Sequence, residues 1–255
     1  DPGSKTSTVG GNVATNAGGM RAVKYGSTRD YVLALTVVLA SGEVMHLGKT
    51  VCKTSTGYSL LHLMIGSEGT LGIITEMTLK LVPKPAMNVS VLLPFERIED
   101  CIATVPKIRI ANLDPQSIEF MGIDIVNSSS DFTGKNIFPT TYNKKEVDAS
   151  ILVTFVGENE DELYEKMEKL DALATECGAI DTLVIDTPTL KTDVWAARSA
   201  FLNAIEGDTK ILDELDVVVP VDQIANYLAF VRSVGDEVGL TIRNFGHAGD
   251  GNLHI

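Results

Sequence analysis

Apolar residues fall in short blocks along this chain, separated by joints rich in Gly, Pro or Ser, and the period within each block predicts its form. In the first third, β-branched and apolar runs predict strands over Tyr31–Ala40 and Glu43–Leu47, joined by a Ser41-Gly42 turn. A short helix over Leu60–Ile65 and a strand over Ile73–Leu81 follow, while everything before about Gly26 reads as loop. Beyond residue 86 the blocks alternate. Strands are predicted over Val89–Leu93, Ser117–Met121, Ser150–Val156, Thr182–Ile185, Asp216–Pro220 and Leu240–Phe245. Helices are predicted over Glu96–Ile110, Glu158–Glu176, Thr189–Ile205 and Asp222–Glu237. The second of these is the most regular, with Leu163, Met167, Leu170, Leu173 and Ala174 on one face. Polar, Ser-rich Asn127–Lys145 reads as a surface loop, and the whole mixture implies an α+β fold with an antiparallel sheet.

Composition narrows the class. With 255 residues and 44% apolar content the chain can bury a real core, and no run approaches the roughly 20 apolar residues of a membrane span. Its three cysteines, Cys52, Cys101 and Cys177, are scattered and form no C-x-x-C pair, which fits structural thiols in a reducing compartment. The net charge of −13 is unevenly spread. Residues 1–86 carry eight Lys/Arg against five Asp/Glu, whereas residues 87–255 carry thirteen against twenty-nine. The change falls just past the stiff Val82-Pro83-Lys84-Pro85 segment, so two domains with different ligands are expected. The acidic half argues against nucleic acid as a partner. The first residues, Asp1-Pro2-Gly3, and the end of the chain within a predicted strand read as the cut ends of a fragment.

Three features carry candidate chemistry. Two Gly-rich stretches, TSTVGGNVATNAGG (Thr6–Gly19) and GSEGTLG (Gly66–Gly72), match neither a P-loop nor a Rossmann turn. Their exposed N–H groups suit an anion such as a pyrophosphate, or simply allow tight turns. Near the end stands HAGDGNLH. If Asp250-Gly251 forms a two-residue hairpin tip, His247 faces His254 with Cβ atoms about 4.5–5.5 Å apart. Such a pair can share a divalent ion, or one ring can be buried and bonded while the other is solvated. Finally, Trp195 and Arg198 lie three apart on one helix face, where Arg198 is either a surface charge or a carboxylate clamp.

The runs TVGGNVATNAGG, YGSTRDYVLALTVVLASGEV and GSEGTLGIITEMTLKLVPKP, with the closing NFGHAGDGNLHI, resemble the vanillyl-alcohol-oxidase-like flavoproteins. The similar branch is that of D-lactate dehydrogenases and the glycolate oxidase flavoprotein subunit. The resemblance implies that residues 1–86 are the second subdomain of a PCMH-type FAD-binding domain and residues 87–255 a substrate-binding cap, with the missing flanks outside the fragment. It implies FAD contacts at Pro2, Gly3, Ser7, Thr8, Gly10, Gly11, Thr15, Asn16, Ala17 and Gly18, and again at Glu68, Gly69, Gly72, Ile73 and Ile74. It further implies a divalent ion (Zn, Fe or Mn) on His247 and His254, completed by a downstream carboxylate, and Arg198 as the clamp on the substrate carboxylate. The implied reaction is oxidation of a small D-2-hydroxy acid by hydride transfer to flavin, with Arg198 and His254 as catalytic residues. Where relatives that oxidise 2-hydroxyglutarate carry a lysine, this chain has Glu214, which favours a monocarboxylic substrate. An electron-transfer protein or iron–sulfur subunit is the implied partner, and the cytoplasm, with membrane association only through a partner, the implied location. Two alternatives share the fold: an alkylglycerone-phosphate-synthase-like transferase without net redox change, and a non-catalytic flavoprotein subunit that docks an electron-transfer partner.

Overall fold

A computed structural model describes residues 6–51, 53–210 and 212–255, and divides the chain into two compact units, Asp1–Lys84 and Pro85–Ile255. Expected cofactor residues Pro2 and Gly3, and Cys52, lie outside the described residues.

The first unit contains helices α1 (Val9–Thr15) and α2 (Ala22–Tyr25), strands β1 (Val32–Val38) and β2 (Val44–Gly48), helix α3 (Leu60–Met64) and strand β3 (Ile73–Leu79). The strands form an antiparallel sheet in the order β2-β1-β3. Leu35 and Val37 of β1, Val13 of α1 and Met64 of α3 meet in its core. The strands and α3 stand where the pattern places them, but the expected opening loop is wrong. Residues 9–15 are helical because Thr8 caps the first turn, its Oγ1 accepting from the Gly11 N–H at 3.0 Å. Burial of Val13 then repays the two helix-weakening glycines.

The second unit is built on a seven-stranded antiparallel sheet. Its elements run β4 (Met87–Phe95), α4 (Ile98–Ile110), β5 (Ser117–Gly122), α5 (Ile123–Thr133), a small hairpin of β6 (Thr141–Tyr142) and β7 (Lys145–Glu146), and β8 (Ala149–Gly157). They continue with α6 (Glu160–Glu176), β9 (Leu183–Ile185), α7 (Pro188–Ser199), α8 (Phe201–Asp208), β10 (Asp216–Val218), α9 (Ile224–Val238), β11 (Phe245–His247) and β12 (Asn252–His254). The strand order is β10-β12-β11-β5-β8-β4-β9. Helices cover both faces, so all nine residues of central β8 are buried. Val91, Leu93, Ile118, Phe120, Ile151 and Val153 pack toward α4, α6 and α9. Leu92, Met121, Leu152 and Phe245 pack on the opposite face, toward α5, α7 and α8.

Several expectations fail here for identifiable reasons. The first seven residues of the Ser-rich stretch expected as a loop, 127–133, belong to α5. Its hydroxyls bond back into the helix, Ser128 to Asp124 O and Ser130 to Val126 O, while buried Ser129 reaches Ala197 O of α7 at 3.2 Å. The helix expected over Thr189–Ile205 breaks at Ala200, where fully buried Phe201 turns in to meet Phe138 and Phe245 edge-on, ring centres 6.0 and 5.5 Å away. The strand expected from Leu240 pairs only from Phe245, where β5 becomes available as a neighbour.

The hairpin register also differs. Residues 248–251 form a four-residue turn, so His247 pairs with Asn252 and Phe245 with His254. Gly251 adopts φ +88°, and a Cβ there would lie 2.0 Å from Val219 O, whose own N–H donates to Gly251 O. Gly251→Ala should therefore cost at least the roughly 1–3 kcal/mol of backbone strain and more for displacing β10's extension. Gly178→Ala, at φ +90° with open space around it, should incur the strain alone. Urea unfolding of both variants checks this, and equal losses would contradict it.

Candidate functional site

The site of the second unit follows from sheet parity. Ser117, Glu119 and Met121 point to the face that α7 covers, and the β5–β11 register, with Phe245 opposite Met121, brings His247 alongside Glu119. Because 245 pairs with 254, His254 projects from that same face. Glu119 is a carboxylate with no solvent exposure, in a strand with no other charged residue. One of its oxygens, Oε1, lies 2.9 Å from His247 Nδ1, and Oε2 accepts from Arg198 Nε at 3.0 Å. Arg198 Nη2 is 2.7 Å from the same Oε2 as an ion-pair contact, but is poorly aligned for a hydrogen bond and has no hydrogen-bond partner. Arg198 is only 5% exposed, so it is buried rather than a surface charge. Its guanidinium lies 4.9 Å from the centre of the Phe245 ring and 5.1 Å from that of Phe201.

The two imidazoles stand 5.4 Å apart, centre to centre, with planes at 90°. His254 stacks on Phe245 at 4.9 Å. Its buried Nδ1 has no hydrogen-bond partner, though Glu214 Oε1 and Asp216 Oδ1 lie 3.5 and 3.8 Å away. Burial lowers the proton affinity of His254, and His247 and Arg198 act in the same direction, outweighing Asp216 and Glu214. The ring is therefore neutral at pH 7. Burial alone would raise the Glu119 carboxyl, but Arg198 and the His247 hydrogen bond more than offset this and hold it below the ordinary range.

Among the described residues no three of His, Cys, Asp and Glu are grouped to hold a metal. As a partial ligand set the histidines nonetheless fit. His247 Nδ1 is within hydrogen-bond distance of the Glu119 carboxylate, as is usual for metal-bound imidazoles, while His254 Nδ1 has Glu214 at 3.5 Å without a hydrogen bond; the Nε2 of each ring would be the atom to hold an ion. Glu119 is the residue that sequence reasoning missed. Its signal was a lone acid inside SIEFMG, on the face opposite Ile118 and Phe120.

In the first unit the expected cofactor residues divide. Thr8 caps α1, Thr15 Oγ1 donates to Gly11 O, and Asn16 Oδ1 accepts from Ser27 Oγ and from Arg29 N–H, so these polar groups serve the local fold. Gly72 is demanded by packing, since a Cβ there would meet Val37 Cγ1 at 2.6 Å. Glu68 is exposed at φ +51°, Gly69, Ser7 and Ile73 are exposed, and Ile74 faces the core. The two Gly-rich stretches do converge. Gly66 N–H donates to Val13 O and Glu68 N–H to Ala14 O, at the end of α1. Ala17, Gly18 and Gly19 line a cleft of about 360 Å³ with Arg21, Tyr25 and Thr28. No atom lies within 4 Å of where a Cβ of Gly18 or Gly19 would be, so this backbone is open to close approach and fits a flat or phosphorylated cofactor.

Comparison with known proteins agrees with this architecture. Residues 84–255 match the family of FAD linked oxidases, C-terminal domain, and residues 1–48 match an FAD binding domain. The chain belongs to the FAD-linked oxidases. It is 56% identical over 255 residues to a D-lactate dehydrogenase of Anaerostipes hadrus, covering 100% of this chain and 54% of that protein. It is 38% identical over 257 residues to the glycolate oxidase subunit GlcD of Bacillus subtilis, covering 100% and 53%. The chain thus spans about half the length of the curated relatives it matches. Among solved structures, alkyldihydroxyacetonephosphate synthase superposes with a TM-score of 0.74 at 19% identity, covering 100% of this chain and 51% of that one. Substrate-bound p-cresol methylhydroxylase also gives 0.74, at 15% identity, covering 100% and 56%. At such identities these two likenesses describe the fold alone. No helix among the described residues is long and apolar enough to cross a membrane.

The Glu119–Arg198 pair makes a thermodynamic prediction. Glu119→Ala should destabilise the fold by about 3–5 kcal/mol, because a buried guanidinium is left uncompensated. Adding Arg198→Met should recover part of that loss, giving a strongly non-additive cycle in denaturant unfolding. Additive losses would mean that the two do not act as a pair.

Proposed function

We propose that this chain is part of an FAD-dependent enzyme that oxidises a small D-2-hydroxy acid of the lactate or glycolate type, assisted by a divalent ion and passing electrons to a partner protein. The observation that carries the reading is a buried arginine with unspent donor capacity beside two histidines on one sheet face. The relatives named D-lactate dehydrogenase and glycolate oxidase subunit support the substrate class.

When bound, the flavin supplies the hydride acceptor, and a divalent ion supplies Lewis acidity at the substrate hydroxyl. The chain's own residues orient the substrate. Arg198 presents the donors left over from Glu119 to the substrate carboxylate, a task suited to a rigid planar fork. Phe201 and Phe245 flank the guanidinium and exclude water, which strengthens charge-assisted hydrogen bonds there. His247 and His254 are the residues that would hold the ion, and neutral His254 is in the protonation state a ligand needs. In the first unit, the backbone of Ala17–Gly19 and the Glu68–Ile74 segment are the parts we assign to the cofactor.

Arg198→Lys keeps the charge but loses the fork. In the full-length enzyme it should lower kcat/KM by roughly 10- to 150-fold, the worth of one charge-assisted hydrogen bond of about 1.5–3 kcal/mol. Undiminished turnover of D-lactate and glycolate would sink the clamp. Metal analysis of the same protein should find one divalent ion per chain, and chelation should abolish oxidation while flavin is retained. His247→Ala and His254→Ala should each reproduce the chelated state, and the double variant should be no worse than either. An enzyme fully active with no bound ion would overturn the metal part of the reading.

A further inference from the structure

Glu119 is deeply buried and serves two partners at once, which raises the question of what it sets. Its two oxygens are divided, Oε1 at 2.9 Å from His247 Nδ1 and Oε2 bonded to Arg198 Nε. Oε2 also lies 3.0 Å from His247 Nδ1, so that nitrogen has carboxylate oxygen on its near side at both contacts. A carboxylate in this state only accepts. The nitrogen facing it must therefore carry a proton, and in a neutral imidazole the lone pair is then confined to the other nitrogen. On the Arg198 side, Oε2 accepts from Nε and lies 2.7 Å from Nη2, which keeps an unfilled hydrogen-bond capacity, so the carboxylate takes up one edge of the guanidinium.

We propose that Glu119 is the positioning residue of the site: it keeps a His247 proton on Nδ1, so that Nε2 is the nitrogen left to meet an ion, and in the same contact sets the edge that Arg198 presents. The inference rests on the reading of Arg198 and the histidines as a substrate and ion site, and adds the residue that couples them. Neither partner can reorient alone, because each would forfeit a buried charge-assisted contact shared with the other.

Glutamine at this position makes the sharpest test. It has one acceptor oxygen and one donor NH₂ in place of two acceptors. The oxygen should turn to the Arg198 cation, leaving the NH₂ to face His247 Nδ1. That nitrogen must then accept, and the proton moves to Nε2. In the full-length, flavin-loaded protein stripped of divalent ions, ¹⁵N spectra of labelled histidine should show His247 as Nδ1–H. Glu119→Gln should invert it to Nε2–H, and Zn²⁺ affinity should fall by roughly 10- to 100-fold. Glu119→Asp retains the charge and shortens the arm, so it should lose one contact and show an intermediate Zn²⁺ affinity.

A wild-type spectrum with His247 as Nε2–H overturns the proposal, even if no variant folds. So does a folded Glu119→Gln protein with unchanged tautomer or unchanged Zn²⁺ affinity. A wild type that shows the Nδ1–H tautomer and binds Zn²⁺, yet oxidises no 2-hydroxy acid, would defeat the proposed activity while supporting the role of Glu119.

Discussion

A carboxylate with no solvent exposure at the centre of a β-sheet face is the constraint around which the second unit is arranged. Removing such a group from water costs several kcal/mol even after the surroundings relax. Glu119 is retained only because Arg198 arrives from α7 and His247 from β11, and each contact depends on an element of different origin in the chain. The broken helix is part of this arrangement. With α7 ending at Ser199, Phe201 can turn under the guanidinium and meet Phe245, so the cation is held between an anion and two aromatic faces. The site is thus a small charged cluster inside an apolar wall. There, electrostatic interactions are stronger than in water and errors of placement are more costly.

The histidine pair shows how a wrong register can still yield a sound deduction. A two-residue tip was expected, and the turn has four residues, moving the partner of His247 from His254 to Asn252. The shift is even, and side chains alternate with period two, so both rings stay on one face. They now meet on the diagonal, across Phe245, at 5.4 Å between ring centres. An odd shift would have sent one ring into the opposite core beside Leu253.

Failures cluster where composition was read in place of local hydrogen bonding. The Gly- and Ser-rich stretches both have the composition of loops, and both contain helices. Thr8 and Thr15 give their hydroxyls to α1, and Asn16 gives its amide oxygen to the turn that precedes β1. Ser128 and Ser130 satisfy theirs within α5, so the helix can be buried without orphaned hydroxyls. Side chains that suggested ligand contacts or solvent were consumed by the chain itself. What remains for a cofactor in the first unit is mainly backbone, around Gly18 and Gly19.

The sequence by itself determined the period of most of the longer strands and helices of the second unit, the antiparallel α+β class, and the motifs that mark an FAD-linked oxidase. These follow from local spacing, because period two or 3.6 decides which residues share a face. It also singled out Arg198, His247 and His254, because the W-x-x-R and HAGDGNLH motifs that carry them are each only a few residues long. Only the tertiary structure decided that Arg198 is buried rather than solvated, and that Glu119 is its partner. The contacting residues are 79 and 128 positions apart, Glu119 to Arg198 and Glu119 to His247. No local pattern encodes such a meeting. It exists because the sheet places β5 beside β11 and folding brings α7 down onto that face, where an unpaired charge would not be tolerated.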